Sequence, residues 1–313
     1  MNQNQQALYN PDNLTRSQSV LIDRDTSDAD VNSLENYWNI VITPNDSVFN
    51  LRLKQVWNYR DLFWLLVRRD FVSFYKQTIL GPLWFFLQPL FTILIYSYIF
   101  GSLAGISTEG VPRPLFYLAG ITCWHYFAEC LNKTSNVFTE NAHVFGKVYF
   151  PRIIMPLSIL FSNLIKFGIY LCILLVMIAW YVYRGEISGI NSFAFLLPVL
   201  LALTAMLGAG LGMIVSSLTT RYRDLSFLVG FGVQLLMWAS TVVYPLSAVP
   251  EKFRWLVSKN PMTPILETFR FGFLGAGTFS WRSLGLSALI ICVIALVGVI
   301  SFNKAERTSI DTV

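Results

Sequence analysis

The spacing of hydrophobic and polar positions changes character along the chain. Residues 1–48 are rich in Asn, Gln, Asp and Ser, with one short strand-like patch at 37–42 before a turn at Pro44-Asn45-Asp46. Without an apolar period this stretch reads as a mostly disordered tail. From Phe49 the pattern turns helical: Phe49, Leu53, Val56, Tyr59, Phe63 and Leu66 recur at spacings of three and four, with Lys54, Asn58 and Asp61 opposite. That spacing predicts an amphipathic helix, closed by Arg68-Arg69-Asp70. Basic residues beside a first apolar span suit the membrane surface, which makes Tyr59, Arg60, Asp61, Arg68 and Arg69 candidate interface residues.

Six apolar segments follow, at about 83–101, 114–131, 156–183, 192–218, 225–244 and 284–302. Each is long enough for the ~30 Å of hydrocarbon that about 20 helical residues cross. The expected fold is therefore all-α: a polytopic membrane protein with six transmembrane helices over 83–302. An interface helix and lead-in (49–82) precede them, and a short tail (303–313) follows. The second segment is the weakest, because it contains His125 and Glu129. Lys166, in the third, is expected to snorkel to the nearer surface. The stretch 245–282 holds Pro245, Pro250, Pro261 and Pro264 and then an amphipathic run with Glu267 and Arg270 three apart. It is too apolar to float in water, so it is expected to dip back as short re-entrant helices, with Glu267 and Arg270 paired as an outer gate.

Composition narrows the class further. The 313 residues are 54% hydrophobic and 13% charged, with mean hydropathy +0.53. A soluble domain carries about a quarter charged residues, so too few are present to coat a soluble fold, and disordered or collagen-like chains are excluded as well. The net charge of +5 conceals a net of −5 in the first fifty residues and +10 in the rest. In a membrane protein such an excess reports topology. With the N-terminus inside, 13 Lys and Arg fall on the inner side and seven on the outer, which predicts both termini cytoplasmic. Cys123, Cys130, Cys172 and Cys292 lie in apolar runs and read as small hydrophobes, so no metal site is expected.

Chemistry is sparse. His125 and His143 are the only histidines, the acids near the spans (Glu129, Glu140, Asp224) look scattered, and no HExxH or GxSxG is present. No catalytic residue is assigned, and no proton relay. Gly146-Lys147 is followed by Val148 and preceded by Asn141 where a phosphate-binding loop needs its first glycine. Any use of ATP and Mg must then occur on a separate ATPase subunit, with no cofactor on this chain. Gly208 and Gly212 form a GxxxG that fits packing within one subunit or between copies. Along the first span Trp84, Gln88, Phe91, Ile95 and Tyr98 share a face, and the fifth carries Gln234 and Trp238. An aromatic belt at the membrane surface is one reading. A channel lining on which sugar rings slide is the other.

The run Tyr59-Arg60-Asp61-Leu62-Phe63-Trp64, then Tyr75-Lys76-Gln77-Thr78-Ile79-Leu80-Gly81-Pro82-Leu83-Trp84, resembles the polysaccharide ABC exporter permeases, the type-2 ABC membrane subunits that export O-antigen, capsule or teichoic acid. Lys147-Val148-Tyr149-Phe150-Pro151-Arg152, Tyr222-Arg223-Asp224, Tyr244-Pro245 and Asn260-Pro261-Met262-Thr263-Pro264 are similar to that family in the same order, while Phe74 stands where the family usually has arginine. The resemblance implies a homodimer in the bacterial inner membrane, docked to two ATPase subunits and moving a lipid-linked polysaccharide, with no nucleic acid partner. It places a coupling loop at about 140–152, with Glu140, Asn141, His143, Phe145 and Lys147 toward the ATPase. A permease for drugs or lipids is the alternative in the same architecture, and a membrane acyltransferase the alternative of another class.

Overall fold

The computed structural model describes residues 57–76, 80–141, 145, 150–219, 222 and 224–310, with only the backbone described for Phe74, Tyr75, Pro82 and 307–310. The predicted tail, the patch at 37–42 and the first turns of the interface helix lie outside these residues. Helix is the only regular secondary structure among the described residues.

The first helix, α1 (Arg60–Tyr75), does not end at Arg68-Arg69-Asp70 as the charge cluster suggested. Arginine is a good helix former, so the charges leave on the exposed side and the helix runs on. Its apolar stripe is as expected. Leu66 and Val67 are buried, and Phe63 packs edge-on against Phe161 of α4 (Ile154–Tyr183) at 5.2 Å.

α2 (Trp84–Tyr96) continues through a π-helical turn, Ser97–Leu103. The chain then forms α3 (Arg113–Ser135), a single turn at Val137–Glu140, and α4. A tight 3-10 turn, Ser192–Leu196, leads into α5 (Leu197–Thr219), and α6 (Leu225–Trp238) follows. Two short helices, α7 (Glu251–Lys259) and α8 (Met262–Leu274), precede the last, α9 (Trp281–Ile310).

Among the described residues four helical stretches are long and apolar enough to cross a membrane: Trp84–Leu103, Ile154–Tyr183, Ser192–Thr219 and Trp281–Glu306. The protein is thus an all-helical polytopic membrane protein. The second expected span, α3, is less apolar for a structural reason. Of its 23 residues 16 are buried, packed against α4, α5 and α8. A helix surrounded by protein does not have to dissolve in lipid, so it tolerates polar residues. The fifth expected span is shorter than its apolar run. α6 stops at Trp238 and covers about 21 Å at ~1.5 Å per residue, because Ser240–Val243 leave the helix and are buried.

Glycines set how closely the central helices approach. A Cβ on Gly208 would meet Cys130 Cβ at 2.9 Å, and one on Gly212 would meet Thr134 Cβ at 2.6 Å, both on α3. On the opposite side of α5 a Cβ on Gly210 would meet the backbone of Ala295 in α9 at 2.9 Å. The GxxxG therefore packs helices within one chain.

Candidate functional site

α1 is tied to the turn that follows α3. Arg69 Nη2 pairs with Asp70 at 2.9 Å and donates to Asn141 Oδ1 at 3.3 Å. Asn141 is buried and donates to the Val137 carbonyl at 3.1 Å, so it faces its own chain. Phe145 is half-buried, with Phe138 and Phe150 at 5.9 and 5.8 Å and the Arg152 guanidinium 5.1 Å from its ring. Glu140 is the exposed member of the predicted coupling set, while His143 and Lys147 lie outside the described residues. Arg69, Asp70, Lys133 and Glu140 border a polar cavity of about 190 Å³ there. Partial desolvation raises the Glu140 carboxyl above its usual range, against the pull of Lys133. Tyr59 packs beside Leu62 and Phe63 on the cluster around Leu66. Arg68 is exposed, and Arg60 and Asp61 form an open pair at 4.0 Å that contributes little to stability.

The predicted lining residues lie on open faces of the single chain. Phe91 and Tyr98 are 57% and 65% exposed, and Trp84, Gln88 and Gln234 are exposed as well. Toward their C-terminal ends the two helices approach each other: Trp238 stacks edge-on against Phe100 at 5.7 Å, and Tyr96 Oη lies 3.8 Å from Met237 Sδ.

On α8 the Glu267–Arg270 pair forms, with Nη1 and Oε1 3.8 Å apart and each residue only 1% exposed. Each member also has a backbone duty. Arg270 donates to the Thr241 carbonyl at 2.6 Å and to the Val242 carbonyl, and its guanidinium lies 3.9 Å over the Phe116 ring. Gly120 of α3 makes room for this, since a Cβ there would collide with both Val242 O and Arg270 Nη2. Glu267 accepts from the amides of Leu246 (3.4 Å) and Thr278 (3.2 Å). Glu109, between α2 and α3, accepts from Ser247 Oγ and from the Gly277 amide at 2.8 Å. Its φ of 55° makes it the one non-glycine residue with positive φ among those described. Sequence reasoning missed Glu109, because a lone acid in a polar loop carries no spacing signal.

A second feature also escaped the sequence. Lys166 does not reach outward alone; its Nζ bonds Glu129 Oε2 at 2.8 Å, and Lys133 stands 3.9 Å from the same oxygen. His125 lies one turn before Glu129, its ring 5.2 Å from that of Tyr170. His125, Glu129, Lys133 and Lys166 are thus gathered between α3 and α4, while Glu140 and Asp224 stay apart from them. The signal was present, since His125, Glu129 and Lys133 follow one another at spacings of four, on one helix face. Mutual neutralisation makes this cheaper than exposing either charge to hydrocarbon.

A helical bundle with exposed aromatic faces, knitted by a buried ion pair at one end and polar at the other, has the build of a membrane transport subunit. The family of ABC-2 type transporters matches residues 61–274, and the chain belongs to that family as a membrane permease subunit, a non-catalytic component. An O-antigen export system permease protein RfbA from Klebsiella pneumoniae is 28% identical over 260 residues, covering 82% of this chain and 97% of that one. An O-antigen export system permease protein RfbA from Myxococcus xanthus is 27% identical over 70% of this chain and 82% of its own length. The polysialic acid transport protein KpsM of Escherichia coli is 24% identical over 74% and 89%.

Proposed function

We propose that this chain is the permease of an ATP-driven exporter that carries a lipid-linked, O-antigen-like polysaccharide across the bacterial inner membrane. Two copies form the conduit and dock two ATPase subunits on the cytoplasmic side, where ATP and Mg are bound. In this reading six helices cross the membrane, α3 and α6 among them, with both termini cytoplasmic and the stretch around α7 and α8 re-entrant from outside. Residues 1–48 form a tail, 49–82 the interface helix and lead-in, 83–302 the transmembrane domain and 303–313 a second tail. Glu140, Asn141, His143, Phe145 and Lys147 present polar and apolar contacts to the ATPase. Glu267 and Arg270 serve as the outer gate.

The observation that carries the reading is the open stripe of α2. Trp84, Gln88, Phe91 and Tyr98 share one exposed face, and on α6 Gln234 and Trp238 are exposed too. Aromatic faces hold sugar rings without fixing register, which a long uniform polymer requires. The amides are costly toward lipid and inexpensive toward a hydrated chain. Export supports the choice of polymer, since the relatives include O-antigen permeases and a polysialic acid transport protein.

The test is surface polysaccharide in cells lacking the chain, then complemented with wild type, Phe91→Ala or Tyr98→Ala. Loss of the chain should trap polymer inside, and each variant should export less at equal membrane abundance. Normal surface polymer in the deleted cells would refute the polysaccharide reading. Undiminished export by both variants would return the α2 face to the lipid.

A further inference from the structure

Between α2, α3 and α4 lies a cavity of about 90 Å³ lined by polar and aromatic side chains. Its buried acceptor is Asn163, which is 1% exposed. The Asn163 Nδ2 points to Cys130 Sγ at 3.9 Å, whereas Oδ1 has no donor among the described residues. A buried acceptor left in that state is costly unless a ligand or water donates to it. Thr122 also lines the cavity; its hydroxyl proton goes to the Leu118 carbonyl at 2.7 Å, so it offers lone pairs to any occupant.

The charges select the class of occupant. Lys166 and Glu129 pair at 2.8 Å within the cavity wall, and Lys133, which stands 3.9 Å from the same carboxylate oxygen, is not among the lining residues. A phosphate or carboxylate would set its oxygens against Asn163 Oδ1 and the Glu129 carboxylate. An ammonium would meet Lys166. A neutral hydroxyl both donates and accepts and so suits every group present. The remaining wall includes Phe167 and Tyr170, whose faces suit the apolar side of a ring. The one exposed lining residue is Gln88, which stands on the same α2 face as Trp84 and Phe91. The volume equals that of about three waters, enough for the edge of a ring and too small for a whole one.

The geometry points to a hydroxyl-binding side pocket that takes one edge of a neutral sugar ring, entered past Gln88. It rests on the polysaccharide reading and adds a place where a single unit of the polymer is held beside the conduit.

Purified permease in nanodiscs is probed by saturation-transfer NMR with the methyl glycosides of glucose, galactose, mannose, rhamnose and N-acetylglucosamine. At least one glycoside should take up saturation at its hydroxyl-bearing edge. Asn163→Leu, which removes the acceptor at nearly constant shape, should weaken that binding about tenfold, the loss of one buried hydrogen bond. Thr122→Val should weaken it too and serves if Asn163→Leu misfolds, while Leu94→Val, on an exposed part of α2, should not. Thermal unfolding of Asn163→Leu should stay close to wild type, because the only protein bond it loses among those described is the long Nδ2–Cys130 Sγ contact at 3.9 Å. No saturation with any of the glycosides, or wild-type binding by both pocket variants, overturns the pocket. If surface polymer still depends on the chain, the export reading survives that result; if it does not, both fall.

Discussion

Arg270 shows how much one side chain can hold in this protein. It joins the end of α6, through the carbonyls of Thr241 and Val242, to α8 and to the Phe116 ring of α3. Removing a buried charge leaves its partner and its acceptors unsatisfied, which typically costs about 3–5 kcal/mol. Arg270→Met is expected to strand Glu267 and lower the unfolding temperature steeply, measured by fluorescence on detergent-solubilised protein. Arg270→Met combined with Glu267→Gln should recover part of that loss, because the orphaned carboxylate is gone while Gln still accepts the Leu246 or Thr278 amide. A double variant as unstable as the single one would show that the pair does not act as a unit. The conservative Arg270→Lys should fail as well, since an ammonium lacks the planar fork that reaches two carbonyls at once.

Glycine contacts dominate at the scale of helices. The approach of α5 to α9 is so close that a Cβ on Gly298 would meet Gly210 Cα at 2.9 Å. Branched side chains cannot enter without parting the helices, and overpacking of this kind costs about 1–3 kcal/mol or more. Gly298→Val should therefore lower the stability of the single chain while leaving the association of copies governed by other surfaces. Thermal unfolding and size-exclusion chromatography on the same preparation separate the two. A variant with wild-type stability and a changed oligomeric state would move the glycine face out of the subunit. The same scale explains α3: packed on by α4, α5 and α8, it can carry the Glu129 that pairs with Lys166.

Across the whole molecule, charge sets orientation. The excess of Lys and Arg on one side of the apolar segments predicts an inner face at the α3–α4 connection and an outer face at Glu109 and α7. Cysteines at the exposed positions Ser107 and Ser258 should react with a membrane-impermeant maleimide in cells with a permeabilised outer envelope. Those at the exposed positions Glu140 and Lys304 should stay unlabelled until the inner membrane is opened. The reverse pattern would invert the topology.

Local regularities determined much of this protein. The 3.6-residue period of Tyr59, Phe63 and Leu66 specified the buried face of α1, and the long apolar runs specified α2, α4, α5 and α9 as membrane helices, because periodicity and hydropathy are summed over neighbouring residues. The spacing of Glu267 and Arg270 foretold their pairing, since residues three apart share a helix face. Tertiary structure alone decided what depends on distant partners. Lys166 meets Glu129 across 37 positions of sequence, and Glu109 reaches the Gly277 amide across 168. The early end of α6 was likewise invisible, because the turn at Thr241 and Val242 is stabilised by Arg270, 29 and 28 residues away. The direction of the Gly208–Gly212 face was open for the same reason: a glycine permits close approach, and only the fold determines which helix makes it.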